Sequence, residues 1–163
     1  MARLSIRDIV FREITSRAPE DLRPWTDMLR KSWGSDFPVD PFEEVSKAAC
    51  IIGVFHRDVL VGAACMNLGS NVSPDGKDLD QWWLSGLVVT DTDDGAYRQI
   101  GIASRLHGEF MDWARRKGYK GDLVASTENV PLFPFFYERG WHGDRLTIIE
   151  DGSPSMVFKR SVS

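Results

Sequence analysis

Residues 82–117 read WWLSGLVVTDTDDGAYRQIGIASRLHGEFMDWARRK. The apolar run 87–89 predicts the end of a strand over 82–90, and a loop rich in Asp and Gly leads to a helix that opens at Gly101. Small residues there let a ligand approach the backbone, while first-turn N–H groups lack acceptors within the helix. Because the helix dipole and the Arg98 side chain add positive charge, the stretch predicts a phosphate or pyrophosphate site.

This segment resembles the signature motif of the GNAT superfamily, the acyl-CoA-dependent N-acyltransferases. The family pattern is Arg or Gln, two residues, Gly, one residue, then Gly or Ala, and Arg98, Gly101 and Ala103 fit it. Further on, FYERGW at positions 136–141 resembles the family's Phe-Tyr-Glu-Lys-x-Gly-Phe ending. The resemblance covers residues 82–141, including the strand before the motif and the amphipathic helix after it.

Along the whole chain, the sequence predicts elements in the order β-α-β-β-β-α-β-α-β-β, with a further helical turn near residues 43–47. The order agrees with the fold that the resemblance implies. That fold is α/β, with a mixed, mostly antiparallel sheet of six to seven strands, splayed central strands and about four helices. We expect one domain over residues 1–163, which is an ordinary domain length.

Composition argues against several classes of function. The net charge is -4, and no concentrated basic face is visible, so we expect no nucleic-acid partner. No apolar run approaches the ~20 residues that span a bilayer, and no leader is evident, which predicts a cytoplasmic protein without a membrane partner. Cys50 and Cys65 are expected to be buried free thiols. We expect no metal, since the three histidines lack metal-ligand spacing.

The resemblance implies acetyl-CoA as co-substrate, without a metal. In the family the pantetheine arm lies between the splayed strands and pairs with backbone groups of the fourth, while the pyrophosphate rests on the opening of the following helix. Carried over by position, the implied cofactor contacts are Leu87, Val88, Val89, Arg98, Gln99, Ile100, Gly101, Ile102, Ala103, Ser104, Asn129, Phe136 and Tyr137.

The implied reaction is direct attack of a neutral primary amine on the thioester carbonyl in a ternary complex. The backbone N–H near Val89 would stabilise the oxyanion, and Tyr137 would protonate the departing thiolate. Tyr137 lies three positions before Gly140, whereas the usual four-residue spacing falls on Phe136, so a register set by the glycine leaves no acid. Ordered water, a main-chain carbonyl or Asp80 would take the proton of the amine.

Four aromatic residues are candidates for the acceptor site. Trp33 precedes and Phe37 lies within the predicted loop 34–42, in the region that, in the family, helps to wall the acceptor. Trp82 and Trp83 point to opposite faces of their strand, so one can enter the core while the other faces the acceptor. An aromatic wall favours an apolar or aromatic amine over a polyamine, which would need a carboxylate cluster. All four can equally be core or interface residues.

The alternative function is a GNAT-shaped module that holds acyl-CoA without transferring it, or a protein-interaction domain. A dinucleotide fold and an NTPase loop are excluded, because the Gly-x-Gly-x-x-Gly and Gly-Lys-Ser/Thr patterns are absent. The sequence leaves open whether the acceptor is a small molecule or a peptide amine, the length of the acyl chain, and whether the protein forms a homodimer.

Overall fold

The computed structural model describes residues 4–90, 97 and 100–162, which form seven strands and five α-helices. The strands are β1 Ile9–Glu13, β2 Cys50–His56, β3 Val59–Leu68, β4 Trp82–Val89, β5 Asp122–Thr127, β6 His142–Ile148 and β7 Pro154–Ser161. The helices are α1 Pro19–Trp33, α2 Pro41–Val45, α3 Gly69–Val72, α4 Ile102–Arg116 and α5 Phe133–Glu138. The predicted α/β class and the strand number are confirmed, and α3 is the helix that the loop composition concealed.

All seven strands form one sheet, in the order β1-β2-β3-β4-β5-β7-β6. Every neighbouring pair is antiparallel except β4 and β5, which run parallel. Within the described residues β4 and β5 pair only at Trp82–Leu123 and Trp83–Val124. The two central strands then diverge, as predicted, and leave a gap in the middle of the sheet.

A β-bulge in β4 lies beside this gap. Ser85 pairs with Cys65 and Val88 with Ala63, so β4 has one residue more than β3 between these pairs. Gly86 takes a φ of 63° there, and a Cβ on it would lie 2.9 Å from Cζ2 of Trp25. The Trp25 indole also donates a hydrogen bond of 2.9 Å to the Gly86 carbonyl. Glycine is therefore required both by the backbone conformation and by the close approach of α1.

The two faces of the sheet are covered by different helices. On one face α4 and α5 pack over the main core, to which α4 contributes the predicted apolar stripe that includes Ile102, Leu106 and Phe110. On the other face α1 and α2 cover a smaller cluster around Trp25. Residues of one strand alternate between the two clusters, as the period of a strand requires.

Cys50 and Cys65 are both buried free thiols, as predicted. They belong to the clusters on opposite faces of the sheet, which separates them across its thickness. Burial is the main cause that raises the pKa of each thiol to about 12, so both are protonated at neutral pH. Among the described residues, no helix combines the length and the apolar composition needed to cross a bilayer.

Candidate acyl-transfer site

A cavity of about 290 Å³ opens where β4 and β5 diverge. Leu84, Ala125 and Phe136 line it, and all three belong to or pack against the core under α4 and α5. Trp83, from the opposite face, also lines it. The cavity therefore lies at the gap in the sheet and has lining residues from both of its faces.

The free edge of β4 offers backbone groups to this gap. Beyond Trp83, the strand pairs with β3 on its other side, and the Thr90 N–H donates to the Val61 carbonyl at 2.7 Å. Since successive N–H groups of a strand point to opposite edges, the Val89 N–H points towards the gap. Val88 packs against the α1–α2 cluster and Val89 against the α4 core, whereas Leu87 lines the cavity and is 37% exposed.

The start of α4, where the anion site is predicted, is described from Ile100 onward. Gly101 is the N-cap residue with a φ of 85°, and no described atom comes within 4 Å of the position that its Cβ would occupy. Ile102 and Ile100 pack into the core, Ala103 is half-buried, and Ser104 is exposed. The predicted contacts Arg98 and Gln99 lie outside the described residues.

A second arginine, which the sequence analysis did not assign, lies at this helix start. The Arg139 guanidinium donates a hydrogen bond to the Ser104 hydroxyl and another, of 3.0 Å, to the Phe135 carbonyl. It also stacks over the Phe135 ring, 3.8 Å from the ring centroid. Arg139 thus places a fixed positive charge beside the first turn of α4.

Of the predicted cofactor contacts in and before α5, only Phe136 lines the cavity within the described residues. Phe136 lines the cavity and stacks on Phe158, with ring centroids 4.8 Å apart. Tyr137 does not belong to the described lining, is 53% exposed, and has its hydroxyl 3.4 Å from where a Cβ of Gly143 would lie. Asn129 is exposed just before the 3-10 turn Val130–Leu132 and is outside the described lining as well.

Three of the four predicted aromatic residues meet at the cavity. Trp33 and Phe37 pack together with ring centroids 5.3 Å apart, and both also line a neighbouring cavity of about 700 Å³. Trp83 is 2% exposed and donates from Nε1 to the Asp78 carbonyl at 3.1 Å. Trp82 instead packs against Trp113 on the α4 face.

The proton acceptor named from the sequence lies elsewhere. Asp80 is an exposed turn residue, accepts a hydrogen bond of 3.4 Å from the Gln81 side chain, and does not belong to the described lining of the cavity. His107 is not in that lining either. It accepts a hydrogen bond of 2.9 Å from the Trp141 indole, and burial lowers its pKa to about 4, so it is a neutral core residue.

Three carboxylates that the sequence analysis did not single out line the cavity: Glu44 of α2, Glu128 after β5, and Glu150 before β7. We call them the cavity carboxylates. Burial, and then the negative charge of Glu150, raises the pKa of Glu44 to about 7. In the sequence Glu44 follows Glu43, and both look like exposed surface residues. Only the packing of α2 against the sheet distinguishes Glu44 from Glu43.

Asn67 connects α2 to β4 beneath the cavity. It is fully buried, and its Nδ2 donates to the Glu44 carbonyl at 3.3 Å and to the Ser85 hydroxyl at 3.1 Å. Val45, the next residue of α2, is completely buried in the α1–α2 cluster. The backbone of Glu44 is thereby held over β4.

A second charged group ties the loop before β4 to the last two strands. Arg145 binds Asp75 at 2.7 Å and 3.0 Å, Asp78 at 2.7 Å and Asp144 at 2.8 Å. Lys159 binds Asp78 at 3.0 Å. We call these five residues the ion cluster. It anchors the loop that brings Val72 and Pro74 to the cavity wall.

A sheet whose central strands diverge, followed by a helix that opens at a glycine, defines the fold class of the acyl-CoA N-acyltransferases. The family model of the acetyltransferase (GNAT) family matches residues 18–141. The chain therefore belongs to the GNAT acetyltransferase family, and the resemblance inferred from the sequence is confirmed.

Solved structures share this fold at low sequence identity. An aminoglycoside 6'-N-acetyltransferase complexed with coenzyme A aligns with a TM-score of 0.71 and 14% identity, over 94% of this chain and 97% of that chain. FeeM, an N-acyl amino acid synthase from uncultured soil microbes, gives 0.73 and 15%, over 94% and 92%. Escherichia coli ElaA gives 0.70 and 14%, over 93% and 99%. A search of curated protein sequences finds no significant match.

Proposed function

We propose that this protein transfers the acetyl group of acetyl-CoA to a primary amine by direct attack within a ternary complex. The observation that carries the proposal is the gap between β4 and β5, which holds a cavity lined by residues from both faces of the sheet. A thioester entering from one face and an amine entering from the other would meet there. Membership of the GNAT family and a neighbour solved with coenzyme A support acyl-CoA as the donor.

The donor would lie along the free edge of β4. Its pantetheine arm would pair with the backbone of residues 87–89, as an added strand does. Its pyrophosphate would rest on the N–H groups of residues 99–104 beside Arg98, with Arg139 as a second positive charge. Asn129 and Phe136 would flank the arm on the α5 side.

In the chemical step, the amine nitrogen attacks the carbonyl carbon, and the Val89 N–H, which points to the gap, would stabilise the oxyanion. The C–S bond then breaks, and the thiolate takes a proton. Tyr137 remains the proposed donor of that proton. Its hydroxyl lies beside Gly143, so solvent in the open gap is a competing donor.

The acceptor would be a small-molecule or peptide amine held between Trp33, Phe37 and Trp83. Among the structural neighbours, the aminoglycoside acetyltransferases are named for a small-molecule amine substrate. A cytoplasmic location fits the two free thiols, since thiols stay reduced in that compartment.

The test measures acetyl-CoA binding by calorimetry and thiol release with a panel of amines. Binding with turnover supports the transferase. Binding without turnover on any amine indicates a non-catalytic acyl-CoA module, and failure to bind acetyl-CoA excludes both functions.

A matched pair of variants tests where the diphosphate binds. Ser104→Glu adds a negative charge at the start of α4 and should weaken coenzyme A binding at least about tenfold, because like charges repel at close range. Arg115→Gln changes the net charge by the same amount at the other end of the helix and should leave binding unchanged. Equal affinities for the two variants would place the diphosphate elsewhere.

A further inference from the structure

The charged side chains that line the cavity are all acidic. The cavity carboxylates Glu44, Glu128 and Glu150 are joined by no Lys, Arg or His among the described lining residues. The same cavity has the aromatic wall of Trp33 and Phe37. Carboxylates and aromatic faces both attract a cation. An amine acceptor that enters this cavity is therefore favoured as its ammonium form.

Glu44 is built into the cavity wall. Its backbone is held by Asn67, which also binds Ser85 in the part of β4 that lines the gap. Its neighbour Val45 is locked in the cluster beneath α1. The Glu44 side chain thus projects from a fixed point on the acceptor side of the gap, in the same cavity as Leu87.

We propose that Glu44 takes the proton from the ammonium group of the acceptor, and that Glu150 is a positioning residue that binds the same cation. This proposal rests on the acetyl transfer proposed above. It assigns to the acceptor site a proton acceptor of its own, in place of Asp80 or a main-chain carbonyl.

The protons balance as follows. The ammonium group gives one proton to the Glu44 carboxylate, and the freed lone pair forms the N–C bond. The C–S bond breaks, a second proton leaves the nitrogen for solvent, and the thiolate gains one either from solvent or from Tyr137, which then regains its proton from solvent. Glu44 then releases its proton to solvent. The products are the amide, coenzyme A and one proton.

The electrostatics of the cavity suit this role. A base is most effective when its pKa lies close to the working pH, and burial with the charge of Glu150 raises the pKa of Glu44 to about 7. Glu128 lines the same cavity, and Cys65 on β3 interacts electrostatically with Glu44. Cys65 has its pKa raised to about 12, so it stays neutral and adds no charge.

The acceptor class follows from the same charges. An amine that carries a carboxylate beside its amino group would be repelled by Glu44 and Glu150, whereas an amine without one would not. The aromatic wall suits an apolar or aromatic body, and the carboxylates suit a second amino group. Tyramine and tyrosine are matched probes, since tyrosine adds only the carboxylate. 1,4-Diaminobutane is the dicationic probe.

The experiment measures thiol release against pH with tyramine and 1,4-diaminobutane. Glu44→Gln should lower kcat/KM for the amine about 100-fold, the usual contribution of a general base, without changing acetyl-CoA binding. Glu44→Asp should retain part of the rate. Glu43→Gln, the same change on the exposed neighbour in α2, is the matched control and should behave as wild type.

The pH profile separates a base from a merely structural residue. For wild type, kcat/KM should rise with a midpoint near the Glu44 pKa of about 7 and stay level until the amine itself deprotonates. In Glu150→Gln this midpoint should move to lower pH, because a negative charge beside Glu44 is lost. Tyramine should exceed tyrosine by at least about tenfold in kcat/KM, and Glu150→Gln should narrow that ratio.

Two results separate this proposal from the proposed function. If wild type binds acetyl-CoA but acetylates no amine, the acetyl transfer fails and this proposal fails with it. If Glu44→Gln is folded and as active as Glu43→Gln, or if the midpoint is the same in wild type and Glu150→Gln, the proposal is overturned while the transferase activity stands.

Discussion

The ion cluster and the cavity carboxylates both gather three acidic side chains beside the same part of the sheet, with opposite results. In the ion cluster, Arg145 and Lys159 pair with the three aspartates, and hydrogen bonds from Arg145 lower the pKa of Asp75. In the cavity no described cation faces the glutamates, and the pKa of Glu44 is raised. Carboxylates that are paired with cations stabilise the folded state. A group of unpaired like charges destabilises it, and such groups are common at ligand-binding and catalytic sites.

Breaking the ion cluster should have the largest effect on stability. Arg145→Met leaves Asp75 and Asp78 half-buried without their main cation and should lower the free energy of unfolding by about 2 to 3 kcal/mol. Urea denaturation at pH 7 measures it. Arg115→Met, which removes an exposed arginine from the end of α4, is the control and should change stability by less than about 0.5 kcal/mol. Equal losses in both variants would show that the cluster contributes nothing beyond surface charge.

Removing the Glu44 charge should increase the free energy of unfolding, in contrast to the loss expected for Arg145→Met. The pKa of Glu44 is raised in the folded state, so wild-type stability is fully present below the unfolded value near 4.5 and falls as pH rises through about 7. Glu44→Gln should therefore gain roughly 2 kcal/mol over wild type at pH 8 and nothing at pH 4. Denaturation at the two pH values measures this difference. A gain that is the same at both, or that Glu43→Gln also shows, would contradict it.

The ion cluster should also make the free energy of unfolding depend on pH, to a smaller extent and in the acidic range. The pKa of Asp75 is lowered in the folded state, so its contribution is present above the unfolded value near 3.8 and is lost as pH falls further. Between pH 5 and pH 2.5 wild type should lose about 1 kcal/mol more than Asp75→Asn. Parallel stability curves for the two proteins would show that the pairing of Asp75 does not affect folding.

The smallest effect is expected at Tyr137, which lies in neither group. Its hydroxyl is beside Gly143 and outside the described cavity lining, so solvent can replace it as the proton donor, and Tyr137→Phe should lower kcat only about threefold. A loss of about 100-fold, the scale expected for general acid catalysis, would establish the phenol as the sole donor to the thiolate, and an unchanged kcat would exclude it. Steady-state thiol release with a saturating amine measures kcat for Tyr137→Phe and for wild type.

Strong periodic segments of the fold were predictable from the sequence. The apolar stripe of α4, from Ile102 to Trp113, was predicted because its spacing at three and four residues leaves one solution. β6 was harder, since Gly143 and Asp144 look like a turn, yet pairing with β7 starts the strand at His142. α3 was concealed by its opening glycine, whose N–H is satisfied by the distant Gln81 carbonyl at 2.9 Å.

The site divides in the same way. The proposed donor half depends on local sequence, so the motif at Arg98, Gly101 and Ala103 is enough to predict it. Its acceptor half is assembled from α2 and the turn before β7, which lie far apart in the chain. No local pattern distinguishes Glu44 from Glu43 or marks Glu150, because their meeting is a product of tertiary packing alone.

The two residue pairs that join β4 to β5 give the sheet a weak seam. A ligand that lies in the gap and forms hydrogen bonds with the β4 edge would replace the backbone hydrogen bonds that β4 and β5 do not make with each other. Ligand binding would therefore stabilise the sheet itself. Strands on both sides would then unfold as a single unit when the ligand is bound and more independently when it is not. Hydrogen exchange measures this: with coenzyme A bound, the amides of β3 and β7 should exchange with the same free energy of opening, and without it with different ones.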